Sequence, residues 1–430
     1  MILKAPRDRP AAQREISTRG LIKGLHYGWW IVISAIFNIF VCLGIGRFAL
    51  GMLLPAMGEA LSLSYVQMGW ISTSNFLGYL IGALWVRRIL PRYGARQLIF
   101  YSSTLIVATM LCIAINQMFL PIAILYGFTG LGSGIVLVCT FSIIPHWFIS
   151  SWRGRAIGFL SIGFGLAIIL AGWSIPWIDR HIAQNGWSIG WGGLAIVCLP
   201  LVLFSLAIIR NRPQEIGLTP YGDKTAQAET NQTHNSPMIQ AQEILARVTW
   251  RLGIIYFLFG LTYVVYATFI ITTLVREHEM DPEKAGQFWI WLGICSLFCG
   301  PLFGGLSDRF GRRASIAASL SFQAAAYALI AFGSGDWSVY LSVILFGLSA
   351  FGLPLIMGAT VADYASPEKS ASILGALTAV FGTGQIIGPI LAGVMADYSG
   401  EFTAAYLAAG SLATLAIALT MTLPDPPRMS

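Results

Sequence analysis

The chain has 430 residues, of which 56% are hydrophobic and only 10% are charged, and it carries a net charge of +7. Its mean hydropathy of +0.72 excludes a soluble globular domain, which could not hide that much apolar surface from water. The 46 glycines and 14 tryptophans are typical of packed membrane helices and of the aromatic residues that anchor them at the interface.

The chain begins with a polar, basic segment and continues with twelve apolar runs. Residues 1–28 lack the short apolar core of a cleavable signal, so we predict a cytoplasmic tail there. Each run is close to the roughly 20 residues that cross a bilayer as a helix. We place these helices at 29–54, 66–86, 97–116, 121–145, 156–178, 188–209, 252–275, 286–306, 314–333, 337–361, 371–396 and 402–423. The sequence therefore predicts an all-α membrane protein with twelve transmembrane helices.

The distribution of basic residues predicts how these helices are oriented. Of the 26 Lys and Arg residues, 22 fall on the side of both termini, while Arg180, Arg276 and Lys284 fall on the other side and Arg47 lies inside a span. Basic residues stay preferentially in the cytoplasm. We therefore expect an inner-membrane protein with both termini cytoplasmic, and the positive charge does not indicate nucleic-acid binding.

A long polar segment divides the helices into two groups of six. We predict a cytoplasmic linker at 210–251, an N-terminal six-helix bundle at 29–209, a C-terminal six-helix bundle at 252–423 and a cytoplasmic tail at 424–430. The polar composition in the middle of the linker favours a flexible connector.

The two halves are related by an offset of 217 residues. An offset that stays constant in separate helix regions is better evidence for a repeat than isolated glycine matches are. The matches are Gly94 with Gly311, Gly130-Leu131 with Gly347-Leu348, and Phe164-Gly165 with Phe381-Gly382. A parallel repeat of two six-helix bundles predicts a binding site between them near the middle of the membrane.

The turn at 304–313, GGLSDRFGRR, concentrates charge between two apolar runs. Glycine permits a tight turn, aspartate can accept hydrogen bonds from a helix N-terminus, and arginine can bind carboxylates or lipid phosphates. We predict a gating loop, the alternative being an ordinary basic turn. Its residues are Gly304, Asp308, Arg309, Gly311, Arg312 and Arg313. The equivalent turn of the first half departs from this pattern, because Pro91 replaces the aspartate and Ala95 replaces a basic residue.

Small residues recur in predicted helices five and eleven. They allow helix backbones to approach closely, and a proline adds a bend and a free carbonyl. We assign helix packing to Gly158, Gly165, Gly382, Gly388 and Pro389.

Arg47 is the one charge inside an otherwise apolar span, with Gly44 and Gly46 beside it. An arginine at a helix centre costs about 2.5–3.5 kcal/mol on insertion scales, so we expect it to face a wet cavity and bind a carboxylate. The alternative is that its side chain reaches up to the membrane interface.

Uncharged polar and aromatic residues in the spans are further candidates for the cavity wall. Each one alternatively serves helix–helix hydrogen bonding or interfacial anchoring. They are Asn38, Asn75, Tyr79, Tyr263, Tyr266, Trp289, Trp291 and Gln385.

Catalytic and metal-binding patterns are missing from the sequence. None of the 19 Asp and Glu residues falls clearly within a span, so a buried proton carrier is not visible. Cys295 and Cys299 have helical spacing, but no His or acidic residue lies nearby, so we favour packing over a metal pair. We expect no metal, no cofactor and no catalytic residues.

The 304–313 segment resembles the loop signature of the major facilitator superfamily, Gly-x-x-x-Asp-(Arg/Lys)-x-Gly-(Arg/Lys)-(Arg/Lys), at every position. The segments 26–32 and 146–158 resemble its monocarboxylate and oxalate/formate branch, whereas 44–48 with 69–82 resembles the bacterial YbfB/YjiJ-type group. The resemblance implies the major facilitator fold, alternating access, and a loop that holds the cytoplasmic side closed in one conformation. It also implies that Arg47 lies close to the position in helix one at which monocarboxylate carriers have a basic residue that contacts the substrate. Helix eight lacks the Asp/Arg pair of those carriers.

We predict a secondary active transporter, and not an enzyme, that moves a small monocarboxylate-like organic acid by proton-coupled uptake. The alternative is a proton-driven exporter of amphipathic drugs or metabolites, which the Trp- and Phe-rich helices favour. A sensor or membrane enzyme has no supporting motif. The expected partners are a carboxylate substrate, a proton and the lipid bilayer, with no nucleic acid, and we expect a monomer.

Overall fold

A computed structural model describes residues 26–182, 185–222, 238–333, 335–365 and 367–424. Most of the two predicted tails and the middle of the predicted linker lie outside the described residues. Helices dominate the described part, and an isolated bridge joins Phe148 to Tyr221.

Among the described residues, eleven continuous helices are long and apolar enough to cross a membrane. Ten of them are single spans. They are α1 at Tyr27–Ala60, α4 at Phe119–Trp147, α5 at Ser151–His181, α6 at Gly186–Ile208, α7 at Val248–Glu277, α8 at Pro282–Phe310, α9 at Arg312–Phe332, α10 at Asp336–Tyr364, α11 at Ser372–Ser399 and α12 at Thr403–Met421.

The eleventh helix, Tyr65–Ala114, contains two spans. As a straight helix its 50 residues would be about 75 Å long, far more than the roughly 30 Å of the hydrocarbon core. At Gly94 the backbone leaves helical geometry with φ 75° and ψ 157°, a conformation that favours glycine. Residues 65–93 form α2 and residues 95–114 form α3, and both pack along α4. The predicted fold of twelve transmembrane helices in two six-helix bundles is therefore confirmed.

The same geometry recurs in the second half, at the predicted offset of 217 residues. Gly311, between α8 and α9, has φ 87° and ψ 164°. In the first half, Arg96 donates to the carbonyl oxygen of Leu206 at 2.9 Å. In the second half, Arg313 donates to the carbonyl oxygen of Leu423. The two donors, Arg96 and Arg313, are 217 positions apart, and so are the two acceptors, Leu206 and Leu423. The repeat therefore extends to individual hydrogen bonds.

The two halves meet along two equivalent pairs of helices, α2 with α11 and α5 with α8. A Cβ atom at Gly69 would overlap the carbonyl oxygen of Pro389, and one at Gly286 would overlap that of Gly172. These two contacts are related by the same offset. Glycine is needed at both places because only a residue without a side chain lets the two backbones approach this closely.

The glycines predicted to serve helix packing differ in their surroundings. Three of them lie against a neighbouring helix: Gly165 on Leu297, Gly382 on Leu80 and Gly388 on Leu261. The prediction for Gly158 is wrong, because no atom lies within 4 Å of the position that its Cβ would take. Gly158 instead ends a short helix that precedes the main part of α5.

Two segments differ from the predicted helices, one in its start and one in its helix type. The helix that becomes α7 already begins at Met238, inside the predicted linker. In α1, residues Phe40–Phe48 form a π-helix, a rare widening that is frequent at functional sites. This π-helical segment contains Arg47.

Candidate functional site

A small cavity lies between the two halves, at the level of the π-helical segment of α1. Its wall is formed by α1, α2 and α4 from the first half and by α7 from the second. The lining residues are Arg47, Phe48, Leu50, Gly51, Ser72, Asn75, Phe76, Tyr126, Val264, Ala267 and Thr268.

Arg47 is the charged residue of this wall, and it is only 8% exposed. Its guanidinium carbon lies 4.1 Å from the ring centroid of Tyr79 and 4.7 Å from that of Phe76. Its Nε and Nη2 atoms have no hydrogen-bond partner, and none of the ion pairs among the described residues includes it. The alternative that Arg47 reaches the membrane interface is therefore wrong, because the side chain is buried over the aromatic rings of α2.

Two side chains hold the backbone around Arg47. The amide nitrogen Nδ2 of Asn75 donates to the carbonyl oxygens of Gly46 at 3.1 Å and Tyr126 at 3.2 Å. The Tyr126 hydroxyl donates to the carbonyl oxygen of Arg47 at 2.9 Å. Buried carbonyl oxygens need such donors, so these bonds stabilise the π-helical segment and position the arginine.

The second half contributes a polar and aromatic wall opposite Arg47. Gln385 on α11 donates to the Tyr263 hydroxyl on α7, and Tyr263 lies within electrostatic reach of Arg47. The rings of Phe259 and Phe381 stack on Tyr263 at centroid distances of 4.9 Å and 5.7 Å. Arg47 therefore lies between the aromatic faces of Tyr79 and Phe76 in the first half and the Tyr263 hydroxyl of the second half.

Trp289 on α8 packs next to Gly51, one of the residues that line the cavity. A Cβ atom at Gly51 would lie 3.0 Å from the Trp289 indole and 2.7 Å from the carbonyl oxygen of Ala267. The indole is only 1% exposed, and its Nε1 atom has no hydrogen-bond partner.

Three predicted cavity residues lie elsewhere. Asn38 accepts a hydrogen bond from Ser205 at 2.8 Å and so joins α1 to α6. Tyr266 pairs its hydroxyl with that of Ser342 at 2.7 Å, inside the second half. Trp291 is 45% exposed on the outer surface of α8, so the prediction that it lines the cavity is wrong. Asn38 and Tyr266 instead form hydrogen bonds between helices, which was the alternative given for them.

The sequence analysis named Arg47 and Asn75 and missed the other residues of the cavity wall. The missed residues are Phe48, Leu50, Gly51, Ser72, Phe76, Tyr126, Val264, Ala267 and Thr268. No sequence signal separates them from similar residues, since a helix with apolar residues on all sides does not reveal which side faces a cavity.

Polar contacts across the middle of the molecule join the two halves. The hydroxyls of Ser72 and Thr268 lie 3.0 Å apart, and Thr73 donates to the carbonyl oxygen of Ile386 at 2.7 Å. Both bonds connect the first half to the second beside the cavity.

Further contacts join the halves at the face opposite the termini. The carboxylate of Asp397 on α11 accepts hydrogen bonds from the backbone nitrogens of Tyr65 at 2.7 Å and Val66 at 3.2 Å, at the first turn of α2. Arg180 and Glu283 form an ion pair at 2.7 Å between α5 and α8. This face is closed in the structure.

The predicted gating loop lies at the face of the termini, where Arg312 binds within its own half. Its Nε atom donates to Asp363 on α10 at 2.7 Å. Its Nη1 atom donates to Ser307 at 2.7 Å and to Asp308 at 3.2 Å. These bonds connect α8, α9 and α10 of the second half. A role of the loop in closing this face therefore stays a prediction.

The rest of the loop makes fewer contacts, and its counterpart in the first half differs. Arg309 lies over the ring of Phe310 at 5.3 Å, and a Cβ atom at Gly304 would meet nothing within 4 Å. The positions that correspond to Arg312 and Asp363 are Ala95 and His146. The first half therefore has no equivalent ion pair at these two positions.

A family model described as the uncharacterised MFS-type transporter YbfB, where MFS denotes the major facilitator superfamily, matches residues 39–421. The chain belongs to this family. It is a membrane transporter and not an enzyme, and the predicted YbfB-type resemblance is confirmed.

This YbfB-type chain is similar over most of its length to transporters of known substrates. It is 25% identical over 391 residues to the hexuronate transporter of Bacillus subtilis, which covers 86% of this chain and 88% of that protein. It is 24% identical over 413 residues to the gentisate transporter of Corynebacterium glutamicum, covering 92% and 86%. A shorter match, 34% identical over 144 residues, covers 32% of this chain and 36% of the class B tetracycline resistance protein of Escherichia coli.

A solved structure of the superfamily shares the fold. The partially occluded, inward-open conformation of the xylose transporter XylE from Escherichia coli matches with a TM-score of 0.72 at 16% identity, covering 94% of this chain and 99% of XylE. This YbfB-type transporter therefore has the two-bundle fold of secondary transporters.

Proposed function

We propose that the protein takes up a small, monocarboxylate-like organic acid across the cytoplasmic membrane, together with a proton, by alternating access. The observation that carries this proposal is the buried Arg47 guanidinium in a cavity between the two halves, which has no counter-ion among the described residues and has two nitrogens without a hydrogen-bond partner. A planar guanidinium is suited to bidentate binding of a carboxylate.

The energetic reason is the missing counter-ion of Arg47. A buried charge is costly unless it is paired, and the ring faces of Tyr79 and Phe76 return only about 0.5–2 kcal/mol. A bound carboxylate supplies the opposite charge. This makes an organic anion a better ligand for the cavity than a neutral or cationic solute.

The similar full-length proteins support the same substrate class. Hexuronate and gentisate, named for the Bacillus and Corynebacterium transporters, are both organic acids. The tetracycline resistance protein matches only about a third of the chain, so export of an amphipathic drug is the second outcome that the experiment has to separate.

The contacts between the halves support alternating access. The face opposite the termini is closed by Asp397 and by the pair of Arg180 with Glu283. Because basic residues stay in the cytoplasm, we assign the face of the termini to the cytoplasm. The transporter is then closed outside in this conformation, and it acts as a monomer whose proton travels with the acid.

The first prediction concerns Arg47→Ala in proteoliposomes supplied with labelled glucuronate or gentisate. Wild type shows saturable uptake that an inward proton gradient stimulates. In Arg47→Ala uptake falls at least about 30-fold, because truncating one partner of a buried charge pair typically costs about 2–5 kcal/mol. Lys284→Ala is the matched control: Lys284 pairs with Asp336 at the surface, and exposed pairs contribute little, so uptake is retained.

Undiminished uptake by Arg47→Ala would remove this residue from the substrate site. If overproduction instead confers drug resistance that survives Arg47→Ala, the protein is an exporter. Uptake that ignores the proton gradient would refute the coupling alone.

A further inference from the structure

We infer that the acid bound at Arg47 also carries a hydroxyl group, and that Asn75 selects for this hydroxyl. The inference rests on the proposed function, because it concerns the same cavity. It starts from the amide oxygen Oδ1 of Asn75, which has no hydrogen-bond partner although the side chain is only 1% exposed.

The orientation of the Asn75 amide is determined by its neighbours. Its nitrogen Nδ2 donates to two carbonyl oxygens, those of Gly46 and Tyr126. Rotating the amide by half a turn would place its oxygen against both carbonyl oxygens, where no donor is available. The unpaired atom is therefore a hydrogen-bond acceptor, and Asn75 lines the same cavity as Arg47.

An acceptor in this place calls for a donor on the ligand. Buried polar atoms in folded proteins nearly always have a hydrogen-bond partner. A carboxylate bound to Arg47 is an acceptor only and cannot satisfy the Asn75 oxygen. A hydroxyl group on the same acid can do so, whereas an alkyl or unsubstituted aryl acid would leave the oxygen unpaired.

Two buried side chains of the second half, close to the cavity, have the same mixed chemistry. The indole nitrogen of Trp289 and the amide oxygen Oε1 of Gln385 both lack a partner, and their side chains are 1% and 0% exposed. A free donor and a free acceptor on the second half fit a ligand that carries oxygen functions beyond its carboxylate. Hydroxylated acids therefore match the unpaired polar atoms of both halves.

The second prediction is tested with pairs of acids that differ by one hydroxyl group. Binding to the purified protein is measured for lactate against propionate and for 2-hydroxybenzoate against benzoate. In wild type the hydroxylated member of at least one pair binds at least about 10-fold more tightly, because a site built to pair with a hydroxyl discriminates strongly against the analogue that lacks it.

Asn75→Leu then removes the preference. The preference is measured as the ratio of the two affinities, because the change also removes the two bonds that hold the backbone around Arg47 and so weakens binding of both acids. The two members of the pair bind within about 2-fold of each other, through Arg47, since the apolar side chain has no acceptor. Asn38→Leu is the matched control, because Asn38 bonds Ser205 away from the cavity, and it keeps the wild-type preference. If Asn75→Leu does not fold, Asn75→Ser shortens the side chain at the same place and is expected to reduce the preference.

Equal binding of both members of both pairs by wild type would overturn the inference and leave the proposed function standing. A preference that survives in the Asn75 variants would also overturn the inference. Failure of wild type to bind any of these acids, by contrast, would contradict the proposed function.

Discussion

The proposed acid site depends on single side chains. Arg47 combines a charge that is only 8% exposed with two aromatic rings and no counter-ion, while Asn75 and Tyr126 hold its backbone in place. At other positions the absence of a side chain matters as much. Gly69 is such a position, because α2 there meets the carbonyl oxygen of Pro389 on α11.

The third prediction concerns Gly69→Ala. The added methyl group would overlap the Pro389 carbonyl and force α2 away from α11 at the closed face. Overpacking of this kind typically costs about 1–3 kcal/mol, which lowers the population of the closed state about 5- to 150-fold. We expect acid uptake in proteoliposomes to fall by a comparable factor.

Gly158→Ala is the control for this change, because a Cβ atom there meets nothing within 4 Å. It should transport within about 2-fold of wild type, as substitutions without new contacts usually have small effects. Full activity of Gly69→Ala would show that the two helices can separate at this point without loss of function.

Helix α1 illustrates how a helix is tied to its surroundings. Its π-helical segment presents Arg47, and its start is capped by His26, whose Nδ1 accepts a hydrogen bond from the backbone nitrogen of Gly28 at 3.1 Å. The His26 ring also packs on Tyr221 at a centroid distance of 5.3 Å. The cap therefore joins α1 to the segment that follows α6.

The fourth prediction is a pH dependence of stability that originates at His26. Burial lowers the pKa of His26 below its ordinary value, and a hydrogen bond with the Thr219 backbone opposes this only in part. The folded state therefore binds a proton less readily than the unfolded state, whose pKa is about 6.5. The stabilising effect of neutral His26 is complete above that pH and is lost as the pH falls through the lower folded-state pKa.

Thermal unfolding in detergent at pH 7.5 and pH 5 tests this prediction. His26→Asn keeps a cap acceptor but does not titrate, so it should lose less stability than wild type on acidification. An identical loss in both proteins would assign the acid sensitivity to other groups.

The two halves together form a repeat that extends to single contacts. Gly69 with Pro389 and Gly286 with Gly172 are equivalent pairs at the face opposite the termini. Such symmetry lets two similar bundles tip about a shared cavity. Under the proposed alternating access, the contacts that close this face break in each transport cycle.

The fifth prediction uses the ion pair of Arg180 and Glu283, which joins α5 to α8 with both side chains exposed. Cysteines at both positions, joined by a flexible and cleavable thiol cross-linker, should lower uptake at least about 10-fold, because the halves can no longer separate there. Cleavage of the linker restores transport.

The matched control joins Lys284→Cys to Asp336→Cys, which replaces an ion pair of similar exposure inside the second half. This cross-link leaves transport intact, since it does not bridge the halves. Full uptake by the cross-linked Arg180→Cys/Glu283→Cys protein would contradict rocking at this face.

Much of the fold is readable from the amino acids alone, because spans, turns and repeats depend on local properties. Apolar runs of sufficient length must be helices in a bilayer, and the repeat of Gly94 as Gly311 places equivalent turns in both halves. A lone charge such as Arg47 in an apolar run likewise predicts a position inside the protein, since hydrocarbon tolerates it so poorly, and Arg47 does line the cavity.

Which other residues surround that charge depends on how the helices are rotated and packed. Asn38 and Trp291 are as polar or aromatic as Asn75 and Trp289, yet the first pair turns away from the cavity. Helices that are apolar on every side carry no periodic signal of rotation. Close contacts between small residues set that rotation, and only the folded chain shows which polar atoms remain unpaired inside it.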